Sequence, residues 1–371
     1  MSKPDAGKTW PDQRVTQLFG IEHPILQGPM AGPCYADMAI AVAEAGGLGS
    51  LPTATFSADQ ARAEWQIIRQ QTDKPINLNF FCHTAPKVDA ARETAWRQRL
   101  APYYREFGID PTVPIPTSNR TPFDDGLCRM VEEFRPAVVS FHFGLPEKAL
   151  LARVKATGAK VIASATSVDE ALWIEAQGAD AVIAQGAEAG GHRGMFLNGD
   201  PLDVALTQSG TMALVPQVVD AVKVPVIAAG GIADARGIAA AFALGASGVQ
   251  IGTAYLFTPE ARISAPHRAA LTGAKDGQTA LTNIFTGRPA RGLMNRAMRE
   301  LGPLSRDVPE FPLAGGALTP LKAKAEAAGS GDFGSLWAGQ AVALGKRPQQ
   351  PLGAADLTRK LAVEALERIG V

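Results

Sequence analysis

One repeated unit constrains the fold of this chain more than any other feature: a short apolar run, a helix-like segment, and then the next apolar run. The runs are rich in Val and Ile and mostly lack polar alternation, which is typical of parallel strands covered on both faces. Eight runs have this character: HPILQG near 23, GLGSLP near 47, PINLNFF near 75, AVVSFHF near 137, KVIASAT near 160, ADAVIAQ near 179, PVIAAGG near 225 and GVQIGTA near 248. The sequence therefore predicts eight buried strands.

The segments between these runs carry apolar residues three and four positions apart, which indicates helices. Helix starts are marked by Ser167, with Glu170 three residues later, and by Asp234. Four glycines follow a helical segment and precede a strand, where the left-handed conformation is needed: Gly46, Gly158, Gly178 and Gly245. This rhythm predicts an α/β fold, a TIM-type (β/α)8 barrel, with a doubly wound open sheet as the alternative.

Two breaks in the rhythm suggest the domain organisation. The gap between the third and fourth runs holds an insertion at about 84–122, and the gap between the sixth and seventh opens with the glycine-rich AEAGGHRGMF. Long loops in compact domains tend to be functional, so the second gap is a site candidate. We expect a disordered leader at 1–13, a (β/α)8 barrel at 14–257, and a C-terminal helical extension at 258–371 packed on the barrel.

Composition argues against several classes of function. The 36 basic residues balance 36 acidic ones, which indicates no nucleic-acid or membrane partner and favours a small ligand. The N-terminus lacks the apolar core of a signal peptide, and no apolar stretch of about 18 residues occurs, so a cytoplasmic location is predicted. Cys34, Cys82 and Cys128 lack C-x-x-C spacing and are interpreted as packed thiols. The sequence contains no cluster of His and Cys residues, so it does not suggest a metal site.

Three consecutive strand ends late in the chain are rich in glycine. In a barrel of this kind, function lies at the carboxyl ends of the strands, and the loops after the seventh and eighth often bind phosphate. One glycine pair could be only a tight turn, but three such ends favour a phosphate-bearing cofactor. The sequence has no Walker loop and no G-x-G-x-x-G motif after the first strand, which disfavours a nucleoside triphosphate and a Rossmann-bound dinucleotide. The three ends comprise Gln185 with Gly186, Gly190 and Gly191; Gly230 and Gly231; and Gln250, Ile251, Gly252 and Thr253.

Polar side chains within the other strands give further candidates. Asn77 and Asn79 point to the same side of the third strand, and Asn79 is placed either to bind a flavin or to tie down a loop. His142 lies at the mouth of the fourth strand between phenylalanines, where apolar surroundings would keep it neutral. It is either a proton acceptor or hydrogen-bond donor, or a core histidine. His192 would shape the glycine-rich loop, with Arg193 available for a phosphate or carboxylate.

These motifs resemble those of the nitronate monooxygenases, formerly called 2-nitropropane dioxygenases, and of the bacterial class I type in particular. The likeness runs from about residue 14 to the end, and several long motifs in the same order are far more specific than a lone glycine pair. The motifs that carry it are PILQGPM, AGGLGSL, PINLNFFCH, VSFHFGLP, AQGAEAGGHRG, AAGGIADARGIAAAFALGA, VQIGTA and WAGQ.

The resemblance implies a flavoprotein oxidoreductase whose barrel binds FMN non-covalently. His142 occupies the family's catalytic histidine position, and Leu145, where smaller residues are common, bears on pocket shape. The phosphate would be held by the glycines after the seventh and eighth strands. The implied FMN contacts are the backbone at Pro29 and Met30, together with Asn79, Gln185, Gly190, Gly230, Gly231, Gln250, Ile251, Gly252 and Thr253.

The implied reaction is the oxidation of an alkyl nitronate by O2 to a carbonyl compound and nitrite, a detoxification with propionate 3-nitronate as the expected substrate. His142 would bind the nitro oxygens or accept the α-proton of a neutral nitroalkane. Two rivals are an NAD(P)H-dependent quinone or enoyl-thioester reductase on the same barrel and a non-catalytic flavin-binding protein. The FHFG motif favours the monooxygenase over the reductase. The expected partners are the nitronate and O2, with a homo-oligomer as a further possibility.

Overall fold

The computed structural model describes residues 9–116, 118, 120–197, 199–346 and 351–370. Eight parallel strands form one sheet in the order β1-β9-β8-β6-β5-β4-β3-β2, and a parallel bridge between Leu26 and Leu48 joins the two ends. The strands are β1 (Ile25–Gln27), β2 (Gly49–Pro52), β3 (Ile76–Phe81), β4 (Val138–His142), β5 (Lys160–Ala165), β6 (Ala181–Gln185), β8 (Val226–Ala229) and β9 (Gly248–Ile251). The predicted (β/α)8 barrel is confirmed, and the open-sheet alternative is wrong because the ring is closed.

Each barrel strand coincides with one of the eight apolar runs, since a strand between an inner core and an outer helix layer needs apolar side chains on both faces. The inner core near the amino ends of the strands includes Val138, Ile162, Ile183 and Ile227, all at most 2% exposed. The outer layer packs between strands and helices. Polar side chains are also buried among the strands, such as Ser50 and Asn77, which are hydrogen-bonded to each other.

A ring of eight helices covers the strands: α2 (Ala36–Glu44), α3 (Ala58–Gln71), α5 (Asp125–Phe134), α6 (Lys148–Ala156), α7 (Val168–Ala176), α9 (Thr211–Ala221), α10 (Ala235–Ala243) and α15 (Ala354–Ile369). The side chains of Ser167 and Asp234 accept hydrogen bonds from the first turns of α7 and α10, as predicted. All four predicted helix-ending glycines are left-handed, with φ between +84° at Gly46 and +92° at Gly158.

The eighth barrel helix comes from the end of the chain. Helix α15 packs against α10 on one side and α2 on the other, which is the position the ring leaves open after β9. Its buried side includes Leu357 and Leu361. The boundary expected at residue 257 therefore separates β9 from its own helix. The residues between β9 and α15 are better described as a long insertion in the last βα unit than as a terminal extension.

That insertion is not purely helical. It contains two 3-10 helices (Thr253–Phe257 and Leu313–Leu318), helices α11 (Ala265–Gly273), α12 (Arg296–Leu301), α13 (Thr319–Ala327) and α14 (Val342–Gly345), and strands β10 (Thr279–Thr282) and β11 (Ala290–Leu293). The strands pair antiparallel, and β11 also pairs with the two-residue β7 (Gly191–His192) from the glycine-rich loop. The helical expectation missed this small sheet because its strands are short and amphipathic.

The insertion predicted at about 84–122 holds α4 (Ala90–Glu106) and packs on the other insertion rather than on the barrel core. Trp96, Leu100 and Tyr104 of α4 are buried with Ile284 and Phe333 in a second apolar core. Two insertions, from the third and eighth βα units, thus build one lobe. Both leave the barrel at strand carboxyl ends, so this lobe covers the face where the candidate site lies.

Two remaining helices are α1 (Arg14–Phe19), before β1, and α8 (Pro201–Leu206), before α9. Residues 1–8 of the expected leader lie outside the described residues. The rest of that leader is ordered: Trp10 is buried and stacks on Phe242, and Asp12 accepts a hydrogen bond from the Ser247 hydroxyl. We expected disorder in this segment because it lacks periodicity, but the buried Trp10 side chain holds residues 9–13 against the barrel. None of the described helices is long and apolar enough to cross a membrane.

Candidate active site

His142 is the last residue of β4, and its half-buried imidazole is held at both nitrogens. Nε2 lies 3.2 Å from the carbonyl oxygen of His192, which can only accept, so Nε2 carries the hydrogen. Nδ1 lies 3.1 Å from the hydroxyl oxygen of Ser164, at the end of β5, and accepts from it in this tautomer. The neutral imidazole is therefore fixed in one orientation, with a single N–H group.

Gly194 makes room for this imidazole. A Cβ atom at position 194 would lie 2.9 Å from Cε1 of His142 and 3.1 Å from Cβ of Ser164, closer than carbon atoms pack. The Gly194 N–H donates to Oε1 of Gln185, while Nε2 of Gln185 donates to the His192 carbonyl. The glycine-rich loop is thus tied to the end of β6 and brought onto His142.

Phe143, immediately after His142, is the centre of an aromatic wall. It is buried and takes the left-handed conformation, φ +70°, which costs a non-glycine residue about 1–3 kcal/mol and is found mainly at functional sites. Its ring packs against His142 at a centroid distance of 4.5 Å. The other rings around it are Phe81, His83, His192 and Phe311.

Burial controls the charge of the histidines in this wall. Burial lowers the pKa of His142 to about 3. The hydrogen bond to the His192 carbonyl acts in the opposite direction and raises this pKa, whereas the charge of nearby Arg288 lowers it further. Burial likewise lowers the pKa of His83 to about 4, with a further lowering by Arg288. The pKa of His192 also lies well below its usual value, first through burial and then through the charge of Arg120. All three rings are neutral at neutral pH.

Two arginines lie near His142, and they differ in how far their hydrogen-bonding groups are occupied within the protein. Arg193 is fully buried and donates to the carbonyl oxygens of Gly186 and Gln185, each at 2.6 Å, and to Gln208. It braces the loop, so the interpretation that it is available for a phosphate or carboxylate is wrong. Arg288 stacks over the Phe143 ring at 4.4 Å, and its buried Nε has no hydrogen-bond partner among the described residues.

The glycine-rich ends of β6, β8 and β9 are neighbours, since these strands are adjacent in the barrel. A Cβ at Gly230 would lie 2.9 Å from Oγ1 of Thr211, and one at Gly190 would lie 2.6 Å from the Gly339 nitrogen. These two glycines are therefore required by packing within the protein. At Gly252 an added Cβ would meet only Sδ of Met30, at 3.6 Å, so this glycine borders open space.

Other predicted cofactor residues line the same end of the barrel. Gly28 N–H donates to the Ile251 carbonyl, which brings the Pro29–Met30 segment beside the end of β9. The Gln250 side chain has a buried amide oxygen with no partner among the described residues. Thr253 accepts a hydrogen bond from the Gly339 N–H, part of the WAGQ motif, so the late insertion closes over this end.

Asn79 and Gln185 use their amides within the protein. Nδ2 of Asn79 donates to the hydroxyl and carbonyl oxygens of Ser140, at 3.0 and 3.3 Å, and no described residue donates to its amide oxygen. Both ends of the Gln185 amide are occupied by the loop that follows β6. Gly231 has φ +69°, and a Cβ added there would lie 3.5 Å from Cβ of Glu188, whose carboxylate holds the start of α9 through Thr211.

The three cysteines have no position suited to nucleophilic chemistry. All are free thiols, and burial raises the pKa of each, to about 12 for Cys34. Each therefore stays protonated at neutral pH. Within the described residues, no group of three His, Cys, Asp or Glu side chains is arranged to hold a metal ion.

Sequence reasoning brought out His142 but missed the residues that define its surroundings. Ser164, Gly194 and Arg288 come from β5, the glycine-rich loop and the turn before β11, and nothing local in the sequence links them to β4. His83 ends the PINLNFFCH motif but was given no role, yet it lies in the aromatic wall. The only feature of the sequence that pointed to any of these residues was the glycine-rich loop, which was singled out for its length and contains Gly194.

Comparison with known proteins agrees with this geometry. The sequence model of the nitronate monooxygenase family matches residues 12–364. The nitronate monooxygenase of Pseudomonas aeruginosa is 44% identical over 353 residues, which cover 95% of this chain and 98% of that protein.

Solved structures show the same relationship. A nitroalkane oxidase from Streptomyces ansochromogenes superposes with a TM-score of 0.84 at 37% identity, covering 96% of this chain and all of that one. FabK from Thermotoga maritima superposes with a TM-score of 0.71 at 31% identity, covering 97% and 98% of the two chains. The family model and these relatives confirm the resemblance seen in the sequence: this chain belongs to the nitronate monooxygenase family of oxidoreductases.

Proposed function

We propose that this enzyme is an FMN-dependent nitronate monooxygenase that oxidises alkyl nitronates, with propionate 3-nitronate as the preferred substrate, using O2 and releasing nitrite. The observation that carries the proposal is the neutral, fixed imidazole of His142. Its N–H group lies at a barrel mouth surrounded by aromatic rings and by arginine charge. An anionic substrate that arrives already deprotonated suits a site that offers a donor and positive charge rather than a strong base.

The residues at the carboxyl ends of β8 and β9 fit FMN. Gly252 leaves space beside Met30, and the unpartnered amide oxygen of Gln250 needs a donor that a bound ligand would supply. Gly231 and the 3-10 turn that starts at Thr253 offer backbone N–H groups to a phosphate. Asn79 would present its amide oxygen to the ring. Bound FMN would supply the electron-accepting ring and the reaction with O2.

The proposed role of His142 is to bind the nitronate and not to remove a proton. A base whose pKa is about 3 is too weak to take the α-proton of a nitroalkane efficiently at neutral pH. Its Nδ1 is also engaged by Ser164. The hydrogen on Nε2 is donated to the His192 carbonyl, so a nitronate oxygen would share this hydrogen or displace the carbonyl. The anion would in turn raise the pKa of the imidazole and strengthen that hydrogen bond.

The aromatic wall would keep water from the reacting atoms. Phe81 and Phe143 pack against the His142 ring, Phe311 packs against both of them, and their apolar surface strengthens each polar contact inside. The chain's own contribution to the reaction is therefore orientation of the substrate and exclusion of competing water.

One second candidate function has a specific observation in its favour. FabK has the same fold over nearly all of this chain, so an NAD(P)H-dependent flavin reductase of the quinone or enoyl-thioester type is the rival. Addition of NADH or NADPH to the flavin-bound protein without oxygen separates the two. We expect the flavin absorbance to persist, whereas rapid bleaching would favour the reductase.

The direct test is nitrite release from propionate 3-nitronate by protein of measured flavin content. We expect a yellow protein with about one flavin per chain, and acid-released cofactor that behaves as FMN and not as FAD. Nitrite should form at the expense of O2. A colourless protein after reconstitution with FMN, or no nitrite above the uncatalysed rate, would contradict the proposal. The cytoplasmic location and the homo-oligomer stay predictions.

A further inference from the structure

The guanidinium of Arg288 lies beside the proposed nitronate site and has no counter-ion within 4 Å among the described residues. Arg288 lies in the turn between β10 and β11, and its side chain packs over Phe143. One nitrogen donates to the carbonyl oxygen of Met195, while Nε is buried and has no partner among the described residues. Burial lowers the pKa of Arg288 to about 10, so it remains charged at neutral pH. A guanidinium in this state lacks the anion that normally accompanies a buried charge.

The groups around Arg288 add to the unbalanced charge. His83 is buried with its ring beside the backbone of Arg120, and the charge of Arg120 lowers the pKa of His192. The nearest counter-charge is Glu170, whose carboxylate is occupied by Thr166 and by the Phe196 N–H. No described carboxylate lies within 4 Å of either Arg288 or Arg120.

The cluster is too far around the barrel to serve the cofactor phosphate. It stands over β4, whereas the glycine-rich strand ends belong to β8 and β9, and β9 is diametrically opposite β4 in the strand order. A flavin held by its phosphate at β8 and β9 would extend toward β4 with its ring. The anion that Arg288 lacks therefore belongs to the substrate. A cavity of about 110 Å³ adjoins the guanidinium, and its lining does not include His142 or Phe143. It is lined by Met195, Phe196, Leu197, Gly199, Pro201 and Arg288.

We propose that Arg288, with His83 beside it, is a carboxylate-binding subsite that makes this enzyme selective for nitronates bearing a second negative group. The inference rests on the proposed nitronate oxidation and assigns its substrate specificity to one residue. His142 would hold the nitronate end and Arg288 the carboxylate end. Both pack against the Phe143 ring, His142 at a centroid distance of 4.5 Å and the Arg288 guanidinium at 4.4 Å.

Arginine suits this task for a geometric reason. Its planar fork can donate two parallel hydrogen bonds to a carboxylate, and a single buried lysine could not reproduce that pairing. Stacking on Phe143 fixes the plane of the fork, and the Met195 carbonyl fixes its rotation. The free Nε edge is the part left for a ligand.

The test compares two substrates of equal length. Propionate 3-nitronate carries the carboxylate, and propyl-1-nitronate has a methyl group in its place. For Arg288→Gln we expect kcat/KM for propionate 3-nitronate to fall about 10- to 100-fold, mainly through KM, the range that charge-assisted hydrogen bonds supply. The kcat/KM of the same variant for propyl-1-nitronate should change less than about threefold, because this substrate has no carboxylate to form a charge-assisted hydrogen bond with Arg288. Arg288→Lys should give an intermediate loss.

The matched control is Arg306→Gln. Arg306 is an exposed arginine that pairs with Asp200 and Asp203 beside the same cavity, so its removal changes net charge equally without touching the subsite. We expect the substrate ratio to stay at the wild-type value. Equal losses on both substrates in Arg288→Gln, loss of flavin from that variant, or a matching change in Arg306→Gln would overturn the assignment.

A binding measurement makes the result independent of turnover. Calorimetric titration of the flavin-bound enzyme without oxygen, using 3-nitropropionate and 1-nitropropane, should show tighter binding of the carboxylate that disappears in Arg288→Gln. Unchanged 3-nitropropionate affinity would overturn the subsite. If wild-type enzyme released nitrite from neither nitronate, the proposed function itself would fail. If it oxidised both with an unchanged ratio in the variant, only the subsite would fail.

Discussion

At the scale of single residues, the site depends on a histidine held in one tautomer. The His192 carbonyl fixes the hydrogen on Nε2 of His142, and the Ser164 hydroxyl satisfies Nδ1. Burial keeps the ring neutral, with a pKa near 3. A neutral donor in an apolar enclosure binds a nitronate well and deprotonates a nitroalkane poorly. The two roles that the sequence left open for His142 can therefore be separated by experiment.

Replacement of His142 by Asn tests these roles. Asn can still donate one hydrogen bond, so we expect kcat/KM for ethyl nitronate to fall only about three- to tenfold, less than the loss of a whole charge-assisted bond. The fall for neutral nitroethane should be no larger. Kinetics of both compounds, with flavin occupancy measured in each preparation, give the comparison. A much larger loss for nitroethane would identify His142 as the proton acceptor.

Gly194 is expected to act through His142. In Gly194→Ala the new methyl group would press on Cε1 of His142, and misplacement of a reacting group by about 1 Å can cost 100-fold in rate. Gly273→Ala is the control, because an added Cβ there meets nothing within 4 Å. The loss should nearly vanish when Gly194→Ala is added to His142→Asn, which a double-mutant cycle measures. Independent, additive losses would show that Gly194 acts elsewhere.

The residues of the site differed in how well the sequence revealed them. His142 was accessible because it ends an apolar strand and lies within the FHFG motif. Gly194 and Arg288 were not, because their role consists of contacts with His142 and Phe143 made across more than 50 and 140 positions of chain respectively. Arg193 was misread for the same reason: its partners are loop carbonyls that only the folded chain brings to it.

At the scale of elements, strands were predictable and the last helix was not. Short apolar runs identify buried strands wherever they occur, so all eight were found. Helix α15 was not assigned to the barrel because about 100 residues separate it from β9, and only packing between α2 and α10 reveals its place. Strands β7, β10 and β11 lack any apolar run of comparable length.

The end of β9 gives the clearest test of the cofactor site. Gly252→Val would project a side chain into the space beside Met30 without a clash in the protein itself, and it should lower FMN retention while the flavin-free protein keeps its unfolding midpoint. Gly230→Val is less informative, because its Cβ would also strike Thr211. Flavin content per folded chain is the measurement. Undiminished FMN in Gly252→Val would remove β9 from the site.

At the scale of the whole molecule, buried neutral histidines tie stability to pH. Burial holds the pKa of His83 and His267 at about 4 and that of His142 at about 3, all below the usual 6.5. Because the folded pKa is lower, the unfolded chain binds more protons between about pH 6.5 and 4, and stability falls as the pH drops through that window. Each such histidine contributes up to about 1.4 kcal/mol per pH unit.

We therefore expect the urea midpoint of unfolding to fall between pH 7.5 and 5, above the range where most carboxylates titrate. His267→Gln, remote from His142, should reduce the slope of that fall. A midpoint that does not change over this range would show that the histidines are solvated in solution. In the proposed subsite, the same neutral rings would leave Arg288 as the positive charge for an anionic substrate.

The most direct measurement of the central claim is simultaneous recording of O2 consumption and nitrite release with propionate 3-nitronate, by protein carrying a known amount of FMN. We predict nitrite formation in proportion to O2 consumed, dependent on bound flavin and reduced in His142→Asn. No nitrite above the uncatalysed rate from fully flavin-loaded protein, together with rapid bleaching of that flavin by NADH or NADPH, would contradict the account.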